Sequence, residues 1–307
     1  MIFRSFNATM LTPTPASVPT PELRHLNANG LRLAYFEWHA EQRGNQPTLF
    51  LIHATGFHAR VWDQVVARFA ARHVIALELR GHGRSSFAPF SSWQDFGEDV
   101  TAATRSLDLQ GAIGVGHSMG AHALVHAAAM LPESFARLVL IDPTLFAPEV
   151  YLHAPPVNQA PHPVSLRKNR FESPEEMFNR FADKVPYLAF QKEALRDYCV
   201  HGLLPSPDGQ GFHLACAPST EGQIYNSARR DRTLYNSIRA IDRPVRVIRA
   251  RASDPAILPF DTLGSPTWPA VAQEFRRGED IHLPDRTHML PMEDPQLTAD
   301  LISQPAR

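Results

Sequence analysis

A serine held between two glycines, directly behind an apolar run, constrains this chain more than any other feature. The stretch is VGHSMGAH, Val115 to His122. AIGV (Ala112 to Val115) reads as the end of a short buried strand, and AHALVHAAAML after the serine reads as a helix rich in strong helix formers. A strand that becomes a helix within two residues needs a tight reversal, which side chains obstruct and glycine permits. Gly116 and Gly120 therefore place Ser118 at the tip of a strand–turn–helix. Gly116-His117-Ser118-Met119-Gly120 matches G-x-S-x-G in the context that motif requires. A serine hydroxyl is a poor nucleophile at neutral pH and needs a base to take its proton. The helix start behind it offers unpaired N–H groups and a positive dipole end, where an oxyanion can form.

Other apolar runs rich in branched residues surround this one. They are LRLAYFEW (Leu31 to Trp38), TLFLIH (Thr48 to His53), HVIALEL (His73 to Leu79), LVLID (Leu138 to Asp142), VRVIRA (Val245 to Ala250) and DIHLP (Asp280 to Pro284). Segments long enough for helices lie between several of them: Val61 to Arg72, Trp93 to Leu109, and Ala121 to Leu131, the last stopped by Pro132. Buried strands alternating with helices predict an α/β fold with a mostly parallel sheet covered on both faces. From about Thr144 to Ile241 the alternation stops and prolines and aromatics accumulate, among them Tyr151, Phe171, Phe181, Tyr187, Phe190 and Tyr198. SPEEMFNRF (Ser173 to Phe181) begins with a Ser N-cap and Pro at the first helical position. The expected organisation is a core of residues 23–143 and 242–307, with a mainly helical cap of residues 144–241 inserted between two core strands. Residues 1–22, rich in Pro and Thr, are expected to form a flexible leader outside the fold.

Composition narrows the function. With 44% hydrophobic and 20% charged residues and a net charge of −1, the chain has the balance of a globular enzyme. A nucleic-acid or acidic-membrane partner gains no electrostatic support. No apolar run approaches the roughly 20 residues of a membrane helix, and the first residues lack the sustained apolar core of a secretory signal. Cys199 and Cys216 have neither CxxC nor zinc-ligand spacing; they fit a reducing compartment, with a single bridge between them as the alternative, and a cytoplasmic location is expected. No metal motif or phosphate loop is present, GAIGVG (Gly111 to Gly116) runs into the serine turn, and no cofactor is expected.

Four motifs in order resemble those of the α/β-hydrolase superfamily, in its capped, esterase-like branch, from about Leu31 to Ile302. LIHATGF (Leu51 to Phe57), followed by Trp62, resembles the family's His-Gly oxyanion loop. ELRGHGRSS (Glu78 to Ser86) resembles the loop after the next strand. GHSMG is the nucleophile elbow, and THMLPMEDP (Thr287 to Pro295) resembles the histidine loop. The sequence departs from the pattern in Ala54-Thr55 before the glycine, in Glu78 where relatives often carry aspartate, and in Thr287 where a glycine is common.

The resemblance implies an α/β-hydrolase fold and a Ser–acid–His order along the chain. Among fifteen histidines, His288 lies in the loop the family uses for its base. His53, His82 and His117 match architectural or pocket-lining positions. Asp254, in RASDPAILP, matches the acid loop after VRVIRA, and Asp142, at the end of LVLID, is its rival. Asp261 and Asp280 are expected to be solvated or capping groups. Met119 is expected to supply one oxyanion N–H and Phe57 the other, with Thr55 as the fallback. The expected activity is that of a serine hydrolase cleaving an ester or lactone with a sizeable apolar part, a small-molecule substrate. C–C hydrolysis of ring-cleavage products or amide hydrolysis by the same residues is the alternative. A ligand receptor on a hydrolase scaffold is the non-enzyme alternative.

Overall fold

The computed structural model describes residues 19–153, 160–254, 256–257 and 261–305. Most of the leader expected over residues 1–22 lies outside these, as do residues 154–159 within the expected cap. Eight strands form the main sheet: β1 (Glu22–Ala28), β2 (Leu31–Trp38), β3 (Leu49–Ile52), β4 (Val74–Leu77), β5 (Ala112–His117), β6 (Phe135–Ile141), β7 (Val245–Arg249) and β8 (Gly278–His282). Their order is β1-β2-β4-β3-β5-β6-β7-β8. The pairs β1–β2 and β2–β4 are antiparallel, and the rest of the sheet is parallel. This is an α/β-hydrolase fold.

The central parallel strands β3, β4 and β5 are buried along their whole length because they are covered on both sides. Alternate side chains feed two cores. Phe50, Ile52, Ile75, Leu77, Leu138 and Leu140 join one, while Leu49, Leu51, Val74, Ala76, Val139 and Ile141 join the other. On the first face lie α1 (Gln94–Ser106), with Phe96, Val100 and Ala103 turned inward, and α2 (Met119–Met130), with Leu124 and Ala127. Each fully buried Leu, Ile or Phe stabilises by about 1.5–3 kcal/mol.

Two expectations need adjustment. The Val61 to Arg72 segment is only a 3-10 turn (Ala59–Trp62) running into one helical turn (Asp63–Val66). β1 has no counterpart among the apolar runs. It joins β2 through Asn29-Gly30, both at positive φ (51° and 73°), the backbone of a tight hairpin turn. Its residues ELRHLNA are mostly exposed or half-buried, so it carries no continuous apolar signal.

Between β6 and β7 the chain leaves the sheet. This stretch holds α3 (Pro174–Phe181), α4 (Lys192–His201), α5 (Pro218–Ser227) and α6 (Leu234–Ala240), with a small three-stranded sheet. Ser173 caps α3 as its sequence predicts, its Oγ accepting from the Glu176 N–H at 3.1 Å. Phe171, Phe181, Phe190 and Tyr198 pack into the second core together with Phe57. The Gln191 N–H donates to the Met292 carbonyl at 2.9 Å, tying the start of α4 to the histidine loop. The chain ends in α7 (Pro295–Ser303), which adds Ala299 and Ile302 to the second core.

Candidate active site

Ser118 stands between β5 and α2 at φ 55° and ψ −118°. A non-glycine residue with positive φ is uncommon, and strain of this kind concentrates at functional turns. The glycines of the motif are explained by close approach. A Cβ on Gly116 would lie 2.4 Å from Ala121 Cα, and one on Gly120 would lie 2.5 Å from the carbonyl oxygens of Ile52 and His53. The Ser118 N–H donates to the Ile141 carbonyl at 3.1 Å, which locks the turn to the neighbouring strand.

His288 comes from the loop after β8. Its Nε2 lies 3.1 Å from Ser118 Oγ, and its Nδ1 lies 2.5 Å from Asp142 Oδ2. The loop is pinned on both sides. His288 N–H donates to the Leu263 carbonyl at 2.9 Å, and the His288 carbonyl accepts from His117 Nε2 at 2.8 Å. Asp142 ends β6 with φ 41°. Its Oδ1 accepts from the Ala250 N–H at 2.8 Å and from Ser265 Oγ at 2.6 Å. Burial pushes this carboxyl up, but hydrogen bonds from His288, Ser265 and the Ala250 amide outweigh it and hold it below the ordinary carboxylate range. An ionised Asp142 accepts the Nδ1–H of His288, which leaves the Nε2 lone pair facing the Ser118 hydroxyl.

The sequence-based choice of acid is corrected here: Asp142, not Asp254, meets the imidazole. Asp254 is exposed, and its Oδ1 accepts from the Ala256 N–H at 2.9 Å while its own N–H donates to Asp261 Oδ2 at 3.1 Å. The loop after β7 is held elsewhere, through Arg251 N–H to the Arg286 carbonyl (2.8 Å) and Ser265 N–H to the Arg251 carbonyl (2.8 Å). What that loop brings to the site is Ser265, as a donor to Asp142.

The second oxyanion donor also shifts. The Phe57 N–H closes a turn onto the Ala54 carbonyl at 3.2 Å, and the Gly56 N–H donates to His82 Nε2 at 3.0 Å. Among the described residues the Thr55 amide has no hydrogen bond, and Thr55 Oγ1 touches Met119 Sδ at 3.3 Å. Met119 opens α2, so its amide is one of the first-turn N–H groups without a helical partner. Among the described residues the Thr55 and Met119 amides are thus left without a partner, in segments joined by the Thr55–Met119 side-chain contact.

Two buried neutral imidazoles brace this loop. His53 Nδ1–H donates to the Ala54 carbonyl (2.8 Å) and its Nε2 accepts from the Leu79 N–H (3.1 Å). His82 makes the equivalent pair with the Arg80 carbonyl (2.9 Å) and Gly56. Burial lowers both, His82 to about 4. Glu78 accepts from the Arg84 N–H at 2.5 Å and from its guanidinium at 2.9 Å, a loop-bracing carboxylate. Phe57 packs on Phe190 and Tyr198, with ring centroids 6.2 and 5.2 Å away, so the segment from α4 covers the oxyanion loop with aromatic surface. Arg167 Nη1 stands 3.2 Å from Glu221 Oε2, and Glu221 lies against Gly56.

Sequence reasoning missed Thr144. Its Oγ1 lies 3.0 Å from Ser118 Oγ, and its N–H donates to the Ser118 carbonyl at 3.2 Å. No motif marks it.

The chain is 27% identical over 215 residues to 2-(acetamidomethylene)succinate hydrolase of Mesorhizobium japonicum, covering 69% of this chain and 73% of that enzyme. It is 36% identical over 97 residues to the lipase LipV of Mycobacterium tuberculosis, a match spanning 31% of this chain and 36% of the lipase. The crystal structure of E-2-(acetamidomethylene)succinate hydrolase superposes with a TM-score of 0.71 at 22% identity, covering 92% of this chain and 98% of that one, a likeness of fold. No helix among the described residues is long and apolar enough to cross a membrane. Residues 49–301 match the model of the alpha/beta hydrolase family, a span that begins at β3 and ends within α7 and so takes in every residue gathered around Ser118. The chain belongs to the alpha/beta hydrolase family.

Proposed function

We propose that this hydrolase cleaves an acyl bond, a carboxylic ester or lactone with a sizeable apolar part, through a covalent acyl-enzyme. The observation that carries this reading is the relay of contacts from Asp142 through His288 to Ser118, at 2.5 and 3.1 Å. Ser118 Oγ attacks the carbonyl carbon as His288 Nε2 takes its proton, and Asp142 stabilises the imidazolium that forms. The Thr55 and Met119 amides receive the tetrahedral oxyanion. His288 then returns the proton to the leaving oxygen, and water repeats the sequence to release the acid. The aromatic cover of Phe57, Phe190 and Tyr198 favours an apolar acyl or alcohol part. Hydrolysis of short p-nitrophenyl esters, with fluorophosphonate labelling abolished in Ser118→Ala, tests the reading. Intact esters together with an unlabelled Ser118 would sink it.

Amide hydrolysis is a second reading with an observation of its own. Half-buried Arg167 pairs with Glu221 through Nη1 and keeps its Nε–H without a hydrogen-bond partner among the described residues, a donor that suits a substrate bearing a carboxylate. The Mesorhizobium relative is named for an N-acyl dicarboxylate. An N-acyl amino dicarboxylate turned over faster than neutral p-nitrophenyl esters, with that preference lost in Arg167→Met, is the result expected of this reading.

A further inference from the structure

Away from the relay, three metal-ligating side chains converge where α2 meets the loop before α6. His122 and His126 stand one helical turn apart on the same face of α2. Asp231 reaches them from the loop, its Oδ2 lying 2.8 Å from His122 Nε2 and 2.5 Å from His126 Nε2. One donor atom from each residue lies within 4.8 Å of the other two. All three residues are buried, and His126 keeps 8% of its side chain exposed as a route from solvent.

The hydrogen-bond partners of these groups decide what belongs between them. His122 Nδ1 faces the Thr144 carbonyl at 3.3 Å. With its proton on Nδ1, toward a carbonyl that only accepts, a neutral His122 turns a bare Nε2 lone pair toward the Asp231 carboxylate. Two acceptors in contact repel unless a cation sits between them. A second proton on His122 and a metal ion are the two cations that fit there, and ring ¹⁵N spectra tell them apart. His126 Nδ1 meets Ser237 Oγ at 3.1 Å, a hydroxyl that can accept its N–H and free Nε2 as a ligand. Asp231 Oδ1 accepts from the Thr233 N–H at 3.0 Å and Thr233 Oγ1 at 2.7 Å, which aims Oδ2 at the two imidazoles. Each ligand thus has its outer partner in place, the arrangement that orients metal-bound histidine and carboxylate.

We propose that His122, His126 and Asp231 bind one divalent transition-metal cation of the zinc type, tying α2 to the loop that precedes α6. Zinc bonds of about 2.0 Å to nitrogen and oxygen require the donor atoms to stand about 3.3 Å apart, so the rings move by about 1 Å or less to admit it. The other grouping of this kind among the described residues, Asp63, Asp197 and His201, is already committed. Arg60 holds both Asp63 oxygens and Gln64 holds Asp197.

The test is a titration of the chelator-treated chain with Co²⁺ alone, followed by displacement with Zn²⁺. One equivalent should bind with visible d–d absorption of low-coordinate cobalt, and Zn²⁺ should bleach it. His126→Gln and Asp231→Asn, each checked for a native circular dichroism spectrum, should weaken binding at least 100-fold, while His282→Gln at an exposed position should not. Absence of the d–d bands, or binding that survives in a folded His126→Gln, would overturn the proposal. If both ligand variants fail to fold, ring ¹⁵N spectra of the unaltered chain decide. On Zn²⁺ addition two Nε2 resonances should move to the metal-bound range with Nδ1 of His122 still protonated. A His122 protonated at both nitrogens before and after addition overturns the proposal.

Discussion

Ser118 and Asp142 leave the sheet side by side. β5 and β6 run parallel with His117 opposite Ile141, and the next residue on each strand turns into positive φ, 55° at Ser118 and 41° at Asp142. The hydroxyl and the carboxylate therefore start from adjacent strand ends, and the His288 imidazole spans the gap between them. The loop after β7, one strand further out, sends its Ser265 hydroxyl and Ala250 amide to the far oxygen of the same carboxylate.

That placement separates two aspartates by experiment. Asp142→Asn loses the acceptor that fixes the His288 tautomer, and kcat should fall by about 10³–10⁴. Asp254→Asn, exposed and bonded within its own loop, should stay within about 3-fold of the parent. Steady-state rates on p-nitrophenyl acetate check both. A crippled Asp254→Asn beside an active Asp142→Asn would reverse the assignment.

Thr144 borders the proposed nucleophile. Its hydroxyl, 3.0 Å from Ser118 Oγ, can donate to that oxygen while Ser118 O–H points at His288 Nε2. Losing one such hydrogen bond is worth about 1 kcal/mol, or about 5-fold in rate. Thr144→Val should lower kcat by roughly this factor with KM nearly unchanged, and Thr144→Ser should restore it. A change confined to KM, or no rescue by serine, would mean that Thr144 acts only through packing.

The central parallel strands were legible because burial on both faces makes them unbroken apolar runs, as in LFLI of β3 and VIAL of β4. β1 was not, because one edge of the sheet leaves ELRHLNA largely in water. Chain order admits both Asp142 and Asp254 as the acid, since each lies between Ser118 and His288. Only the strand order, with β6 beside β5, brings one of them to the imidazole. Similarly, HATGF marks an oxyanion loop without saying which amide is spent closing its turn, and here that amide is Phe57. Thr144 and Ser265 are small hydroxyl residues of common types, and nothing in their neighbourhood distinguishes them before the chain is folded.

Gly116 should tolerate no side chain. A Cβ there meets Ala121 Cα at 2.4 Å and Ala121 N at 2.6 Å, which are backbone atoms inside α2. Gly114, two residues earlier on β5, would meet only the ends of Leu138 and Leu124 at 2.9–3.1 Å. Side-chain tips can shift where a helix cannot. Gly116→Ala should destabilise by about 3 kcal/mol or more, and Gly114→Ala by about 1 kcal/mol. Urea unfolding of the two variants measures the difference, and equal costs would contradict the close approach of strand and helix.

Stability should fall on mild acidification, and the sign follows from how the buried histidines are bonded. His82 donates through Nδ1 to the Arg80 carbonyl and accepts through Nε2 from Gly56, so a second proton would face an N–H donor. Burial lowers His82 to about 4 and, with His288 beside it, His117 to about 3. Both lie below the unfolded value of about 6.5, so the unfolded chain binds protons first. Their contribution is complete above pH 6.5 and is lost as pH falls toward 4, at about 1.4 kcal/mol per pH unit for each histidine. Asp63 works in the opposite direction. Burial raises it to about 6 against the pull of Arg60, so its protonation below pH 6 offsets one such slope. Unfolding free energies at pH 7.5, 6.2 and 5 should therefore decline, and His82→Gln should flatten the decline by about 2 kcal/mol between pH 6.5 and 5 whatever its uniform cost. Parallel curves for the two proteins would show that His82 is already charged in the folded chain.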